Sequence, residues 1–206
     1  MNPRLRMALL KCRAANMPND NIERAIKKGI GGGETANFED LTYEIYGPQG
    51  VALLVEASTD NRNRTASEIR SIVSKSGGTI ATAGAVSRLF HRKGQIIVSR
   101  EAISEDQLME LALEAGAEDF KADPQGYEII TDPGNFERVH KQIEAKGIKA
   151  EVAGVTSLPT LSVPLQGERS IAEVNRLIDG LEDHDDVKEV YSNAEFPEDE
   201  PRAGVA

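Results

Sequence analysis

Residues 94–122 read GQIIVSREAISEDQLMELALEAGAEDFKA, and residues 126–155 read GYEIITDPGNFERVHKQIEAKGIKAEVAGV. Each begins with a glycine and a short apolar run, Ile96-Ile97-Val98 in the first and Ile129-Ile130 in the second. Such runs predict strands. Each continues with a helical stretch, Ser104 to Ala115 and Asn135 to Lys146, and closes on a second strand, Ala117 to Ala122 and Lys149 to Val155. Glu114-Ala115-Gly116 is echoed by Glu144-Ala145-Lys146-Gly147. Two βαβ halves of this kind make a ferredoxin-like split sandwich, and two copies are too few for a solenoid.

Upstream, residues 41–46 and 51–58 predict strands joined through Gly47-Pro48-Gln49-Gly50, a hairpin signal. Thr65 and Glu68 have capping-box spacing for a helix with Ile69, Ile72 and Val73 inward and Gly77 at its end. A strand near 85–91 follows. Downstream, Pro159 and Pro164 bracket a linker. Ser170 with Glu173 predicts the cap of a last helix with the stripe Ile171, Val174, Leu177, Ile178, Leu181, followed by a strand from Val187 to Tyr191. The early β-β-α-β set and this late helix and strand each lack partners, so they are expected to complete one another around an insertion.

At the N-terminus, residues 3–16 predict a helix with Leu5, Ala8, Leu9, Cys12 and Ala15 on one stripe, broken by Pro18. Asp20 and Glu23 predict a capping box for a second helix with Ile22, Ala25 and Ile26 inward, ended by Gly29. Gly31-Gly32-Gly33 then reads as a hinge. The expectation is an α+β chain of three domains: a helical hairpin at 1–36, an α/β domain at 37–93 and 161–206, and a ferredoxin-like insertion at 94–160. The tail from Glu195 is acidic and predicted to fray.

The chain has 206 residues and a formal net charge of −10, 39% hydrophobic and 28% charged residues. No run approaches the length of a membrane span, and the N-terminus has no apolar signal region. A single cysteine, Cys12, excludes a disulfide framework and fits a cytoplasmic setting. The charge is split. Residues 1–93 hold 14 Lys/Arg and 9 Asp/Glu, whereas residues 94–206 hold 10 and 25. Screening limits each exposed charge to a reach of roughly 10 Å, so a basic face can attract a polyanion despite the negative total. The alternative is a set of ordinary solvated helices. The candidate nucleic-acid contacts are Arg4, Arg6, Lys11, Arg13, Arg24, Lys27, Lys28, Asn61, Arg62, Asn63, Arg64, Arg70, Lys75, Arg92 and Lys93. Those of the hairpin and those of the neighbouring sheet domain are expected to share one surface.

Asp60-Asn61-Arg62-Asn63-Arg64-Thr65 is the densest polar cluster, placed between a strand end and a helix N-terminus. Two guanidinium forks beside free helix N–H groups suit phosphate, and a capped loop with solvated arginines is the other reading. Gly29 to Gly33 lacks the Gly-Lys-Ser/Thr of a phosphate loop. His91 has no nucleophile or orienting partner in view and reads as a surface histidine. Glu182-Asp183-His184-Asp185-Asp186 lacks the spacing of a calcium loop and reads as a solvated helix-end turn. Tyr43, Tyr46 and Phe90 fit core packing better than a base-stacking platform. No catalytic arrangement, cofactor, metal or small-molecule substrate is indicated, and oligomeric state is not readable.

Asn2-Pro3-Arg4-Leu5-Arg6, Asn16-Met17-Pro18, Ile22-Glu23-Arg24-Ala25-Ile26, Tyr43-Glu44-Ile45-Tyr46-Gly47-Pro48, Asp60-Asn61-Arg62-Asn63-Arg64-Thr65 and Leu113-Glu114-Ala115-Gly116-Ala117-Glu118-Asp119 together resemble the YebC family, over essentially the whole chain. A mitochondrial relative in that family is the translational activator of cytochrome c oxidase. The resemblance implies a helical domain and two α/β domains, the third inserted into the second, and no catalytic residues. It implies a transcriptional regulator that binds DNA, or alternatively a ribosome-associated translation factor that meets ribosomal RNA and relieves stalling at proline-rich stretches. Members of the family carry a further basic segment ahead of the position of Asn2-Pro3. That segment would supply a first helix and more positive charge.

Overall fold

The computed structural model describes Leu5, Ala8, Leu9, Cys12, residues 17–29, 38–124 and 126–197. The chain divides into two units, Met1–Asn37 and Phe38–Ala206.

In the first unit Leu5, Ala8, Leu9 and Cys12 are helical, and a second helix, α1, runs Asn19–Gly29. The carbonyl of Pro18 accepts from Asn21 N (2.9 Å) and Ile22 N (3.2 Å), so Pro18 starts the helix and Asp20 lies inside its first turn. The expected Asp20–Glu23 capping box is thereby displaced by one turn residue. Ile22 is buried and Ile26 half-buried, but Ala25, Leu5 and Ala8 are exposed.

The second unit begins with β1 (Glu39–Tyr46) and β2 (Ala52–Thr59), paired antiparallel with Tyr46 opposite Ala52. Gly47 N donates to Val51 O (2.7 Å), and Gln49 (φ 61°) and Gly50 (φ 76°) turn the chain. A Cβ on Gly47 would stand 3.0 Å from Leu177 Cδ2 and 3.1 Å from Leu53 Cδ1, so glycine lets the turn sit close against the core. Helix α2 (Arg62–Lys75) crosses to the two-residue β3 (Thr79–Ile80), which pairs on the far side of β1. Late in the chain come β8 (Val163–Pro164), α5 (Glu168–Glu182), β9 (Val187–Ser192) and β10 (Ala194–Glu195). β9 pairs with β2, giving the order β3-β1-β2-β9, and β8 pairs with β10.

α2 and α5 cover one face of this sheet. Ile45, Leu53, Val55, Ile69, Val73, Val174, Leu177 and Leu181 form its core, each at most 1% exposed. The stripe expected for α5 is the one that is buried, but the helix begins at Glu168 rather than at Ser170. Gly167, at φ 80°, turns the chain into the helix earlier, and Arg169 pairs with Glu173 (2.9 Å) in place of a Ser170–Glu173 cap.

The middle of the chain builds a second sheet from β4 (Phe90–Ser99), β5 (Asp119–Ala122), β6 (Gly126–Thr131) and β7 (Val152–Pro159), with helices α3 (Glu105–Ala115) and α4 (Phe136–Ala145). The order β5-β6-β4-β7, antiparallel throughout, is that of a ferredoxin-like split sandwich. The first sheet has the same spatial plan, with the strand that would come third in the chain moved to the front as β1. The protein is a multi-domain α+β chain.

Two expectations shift here. The strand expected near 85–91 is a 3-10 turn at Ser87–Leu89 followed by β4, because Val86, fully buried, plugs the outer face of the first sheet with Ala52, Leu54, Phe90 and Tyr191. The boundary expected at 93/94 falls inside β4, which pairs without a break with β7 from Phe90↔Pro159 to Ile97↔Val152. Phe90 belongs to the packing of the first sheet, and Ile96 and Val98 are buried in the second.

Candidate nucleic-acid interface

The loop from Thr59 to Thr65 is held by a dense internal network. Asn61 is the N-cap of α2, its Oδ1 accepting from Arg64 N (3.2 Å). Thr65, expected as the cap, is instead a fully buried residue of the first helical turn. It donates its hydroxyl to Asp186 Oδ2 (2.6 Å) and lies 2.8 Å from the Thr59 hydroxyl. Asn61 takes the cap because the helix starts one turn earlier than the Thr65–Glu68 spacing suggests.

Arg64 turns inward along the same network. Its Nη2 donates to Asp186 Oδ2 (2.8 Å) and Oδ1 (3.1 Å) and to Asp60 Oδ1 (3.1 Å). The hydrogen bonds from Arg64 and then Thr65 hold the Asp186 carboxyl down at about 2, from an ordinary value of 3.8. Asp186 N donates to His184 Nδ1 (3.1 Å), which places the imidazole proton on Nε2, where it donates to Glu68 Oε2 (3.0 Å). The turn expected to be solvated thus folds back onto α2, with the His184 side chain 9% exposed.

Glu68, His184 and Asp186 are the one trio of potential metal ligands among the described residues. The Arg64 guanidinium already neutralises Asp186, and the protonated Nε2 faces Glu68, so the trio is complete as a hydrogen-bonded network.

The remaining candidates separate by partner. Arg62 pairs with Glu39 (3.0 Å), Arg92 with Glu56 (2.8 Å) and Lys93 with Glu118 (2.5 Å). Arg70 and Lys75 are exposed on α2 and meet no carboxylate among the described residues. Asn63, Ser67, Ser71 and Ser74 are exposed on the same helix, and Glu68, its one acidic residue, is engaged by His184. Helical spacing groups Asn63, Ser67, Arg70, Ser71, Ser74 and Lys75 on the solvent side, opposite buried Thr65, Ile69 and Val73. In α1, Arg24 donates to Asp20 O (3.2 Å) and Asn21 Oδ1 (2.5 Å), and Lys27 is exposed. Arg4, Arg6, Lys11, Arg13 and the side chain of Lys28 lie outside the described residues.

Glu44, which composition and spacing did not single out, is a buried anion. Its carboxylate accepts from the amides of Gly84 (2.6 Å), Val86 (2.5 Å) and Ser87 (2.9 Å) and fixes the loop that carries Val86. Burial opposes its ionisation, but the backbone hydrogen bonds outweigh it and hold its pKa below the ordinary value. Its side chain lies on the outer face of the sheet, where the loop carrying Val86 buries it.

A helical unit and two antiparallel α/β sandwiches define a multi-domain chain of mixed α+β class. The chain belongs to the TACO1/YebC family: residues 38–194 match the model for its second and third domain, and residues 1–32 the model for its N-terminal domain. It is 47% identical to a "Probable transcriptional regulatory protein" of Elusimicrobium minutum over 96% of this chain and 79% of that one. It is 50% identical to a protein of the same description in Desulforapulum autotrophicum, over 96% and 80%. The structure also matches the crystal structure of the conserved hypothetical protein Aq1575 from Aquifex aeolicus, with a TM-score of 0.82, 45% identity, and 96% and 81% of the two chains covered. Among the described residues no helix is long and apolar enough to cross a membrane.

Proposed function

We propose that this chain is a non-enzymatic regulator of gene expression that binds nucleic acid through phosphate contacts from the outer face of α2, with DNA as its target. The carrying observation is the contrast between Arg70 and Lys75, which meet no described carboxylate, and Arg62, Arg64, Arg92 and Lys93, each held by at least one. Small hydroxyl and amide side chains around Arg70 and Lys75 let a sugar-phosphate backbone come close and can donate to it. The naming of the relatives as transcriptional regulators supports DNA. A surface built for phosphate serves RNA by the same chemistry, which is the second reading: a cytoplasmic translation factor on the ribosome.

Fluorescence anisotropy with duplex DNA across a salt series tests this. Arg70→Ala with Lys75→Ala is expected to flatten the log–log salt slope by about 0.9 for each phosphate that is no longer neutralised. Arg92→Ala is expected to leave the slope unchanged. An unaltered slope in the double variant refutes the α2 assignment. Co-sedimentation with ribosomes at matched salt separates the two targets.

A further inference from the structure

The charge split between the two halves of the chain is a sum with a local exception. Residues 94–160 hold 6 Lys/Arg against 13 Asp/Glu, yet four of the six, Arg138, Lys141, Lys146 and Lys149, fall on α4 or just past its end. The other two are engaged within the sandwich. Arg100 donates to Asp123 O and lies over the Tyr127 ring, and Lys121 pairs with Glu128 (3.6 Å).

Within α4 the charges sort by edge. Glu137 and Glu144 share one edge, with Lys141 Nζ 3.6 Å from the first and His140 Nδ1 3.7 Å from the second. Arg138, Gln142, Ala145 and Lys146 follow at helical spacing on the other, all of them exposed and none acidic. Arg138 and Lys146 meet no carboxylate among the described residues. Together with Lys141 these side chains line a shallow groove that is open to solvent. Arg138 is also held in place. Its Nη2 stands 2.0 Å from where a Cβ on Gly116 would be, so the glycine that ends α3 makes room for the guanidinium. The partial negative charge at that helix end favours a cation there and neutralises it only in part.

Three properties of the groove say what it can hold. Its cations call for an anion. No aromatic or large aliphatic side chain lines it, so it lacks the anchor pocket on which protein partners depend. It is open rather than enclosing, so it would bury too little of a small metabolite. A phosphate backbone that continues past the helix needs neither anchor nor enclosure. The acids of the neighbouring α3, Glu105, Asp106, Glu110 and Glu114, keep the cationic strip narrow, so it engages a single stretch of backbone.

We propose that the outer face of α4 is a second phosphate-contact surface, with Arg138 and Lys146 as its contacts, through which the inserted sandwich grips the nucleic acid that α2 also engages. This rests on the chain being a nucleic-acid binder, and it adds that the acidic half of the chain takes part in binding.

Fluorescence anisotropy of the full chain with a duplex DNA over a salt series, run beside a duplex RNA of the same length, tests the face. Arg138→Gln with Lys146→Gln, both at exposed positions, is expected to keep the circular dichroism spectrum and to flatten the log–log slope on DNA by about 0.9 for each phosphate released. Added to Arg70→Ala and Lys75→Ala, the losses should sum. Lys121→Gln, at a lysine that already has Glu128, should leave the slope unchanged. Flattening on either duplex supports the face, and the duplex with the larger change names the target. A slope that flattens with the α2 variant but not with the α4 variant overturns this inference and leaves the α2 assignment standing, whereas the reverse pattern keeps α4 and removes α2. No salt-dependent binding by the unaltered chain overturns both. Poly-glutamate is the probe for an acidic protein partner: an α4 variant that loses poly-glutamate but keeps its slope on both duplexes overturns the proposal in favour of such a partner.

Discussion

Replacing Asp186 with Asn should produce a pH-dependent loss of stability whose size and sign follow from the network at the α2 N-terminus. Asp186 accepts from Arg64 and Thr65, and its carboxyl stays ionised down to about 2. In the unfolded chain it titrates at the ordinary aspartate value of 3.8. The ion pair therefore contributes its full stability above about pH 4 and loses it as pH falls toward 2. The unscreened linkage value is about 2.4 kcal/mol, at 1.36 kcal/mol per unit. The Asp186 side chain is 12% exposed but its partner Arg64 is 43% exposed, so solvent screening reduces the expected value to about 1–2 kcal/mol. Asp186→Asn should lower Tm by roughly 3–6 °C at neutral pH, taking about 3 °C for each kcal/mol in a chain of this size. Thermal unfolding followed by circular dichroism at stepped pH reads the effect. The two melting curves should converge as pH approaches 2. A Tm difference that stays constant from neutral pH to pH 2 would show that the Asp186 charge is not what the network holds.

Glu44→Ala should cost about 2–4 kcal/mol, because three loop amides lose a buried charged acceptor. Hydrogen exchange at Val86 N should speed up by more than exchange in β6, and equal acceleration at both would argue against a local anchor. Tyr43→Phe should be neutral or stabilising by about 1 kcal/mol, since the Tyr43 hydroxyl is buried with no hydrogen-bond partner among the described residues. A clear drop in the urea midpoint would mean that the hydroxyl has one.

The inserted sandwich was legible because its instructions are local. The apolar runs at Ile96–Val98 and Ile129–Ile130 and the helical stretches Ser104–Ala115 and Asn135–Lys146 need no distant partner to be read, and the same holds for the α5 stripe from Ile171 to Leu181. The hairpin at Gly47–Gly50 was likewise carried by its own residues. The site was less legible because its decisive contacts are remote. Arg62 meets Glu39 at a separation of 23 positions, Arg92 meets Glu56 at 36, and Arg64 meets Asp186 at 122. Sequence shows that these cations exist but not that carboxylates are waiting for them. Glu44 hid for the same reason, since the amides it meets lie about 40 positions away. The start of α2 was misplaced because both Asn61 and Thr65 can cap, and only the fold decides which side chain is left free to do so.

Strand β4 has a practical consequence for anyone who wants the inserted sandwich by itself. A gene fragment cut after Lys93 would open the ribbon between Phe90 and Pro159 in the middle of its ladder and leave a frayed start. Cuts at about Leu89 and Thr160, where the last rung of the ribbon closes, would keep the strand whole. Even so, Phe90 would leave the fragment with an unclothed aromatic ring, because the surface that shelters it stays behind with the other sheet.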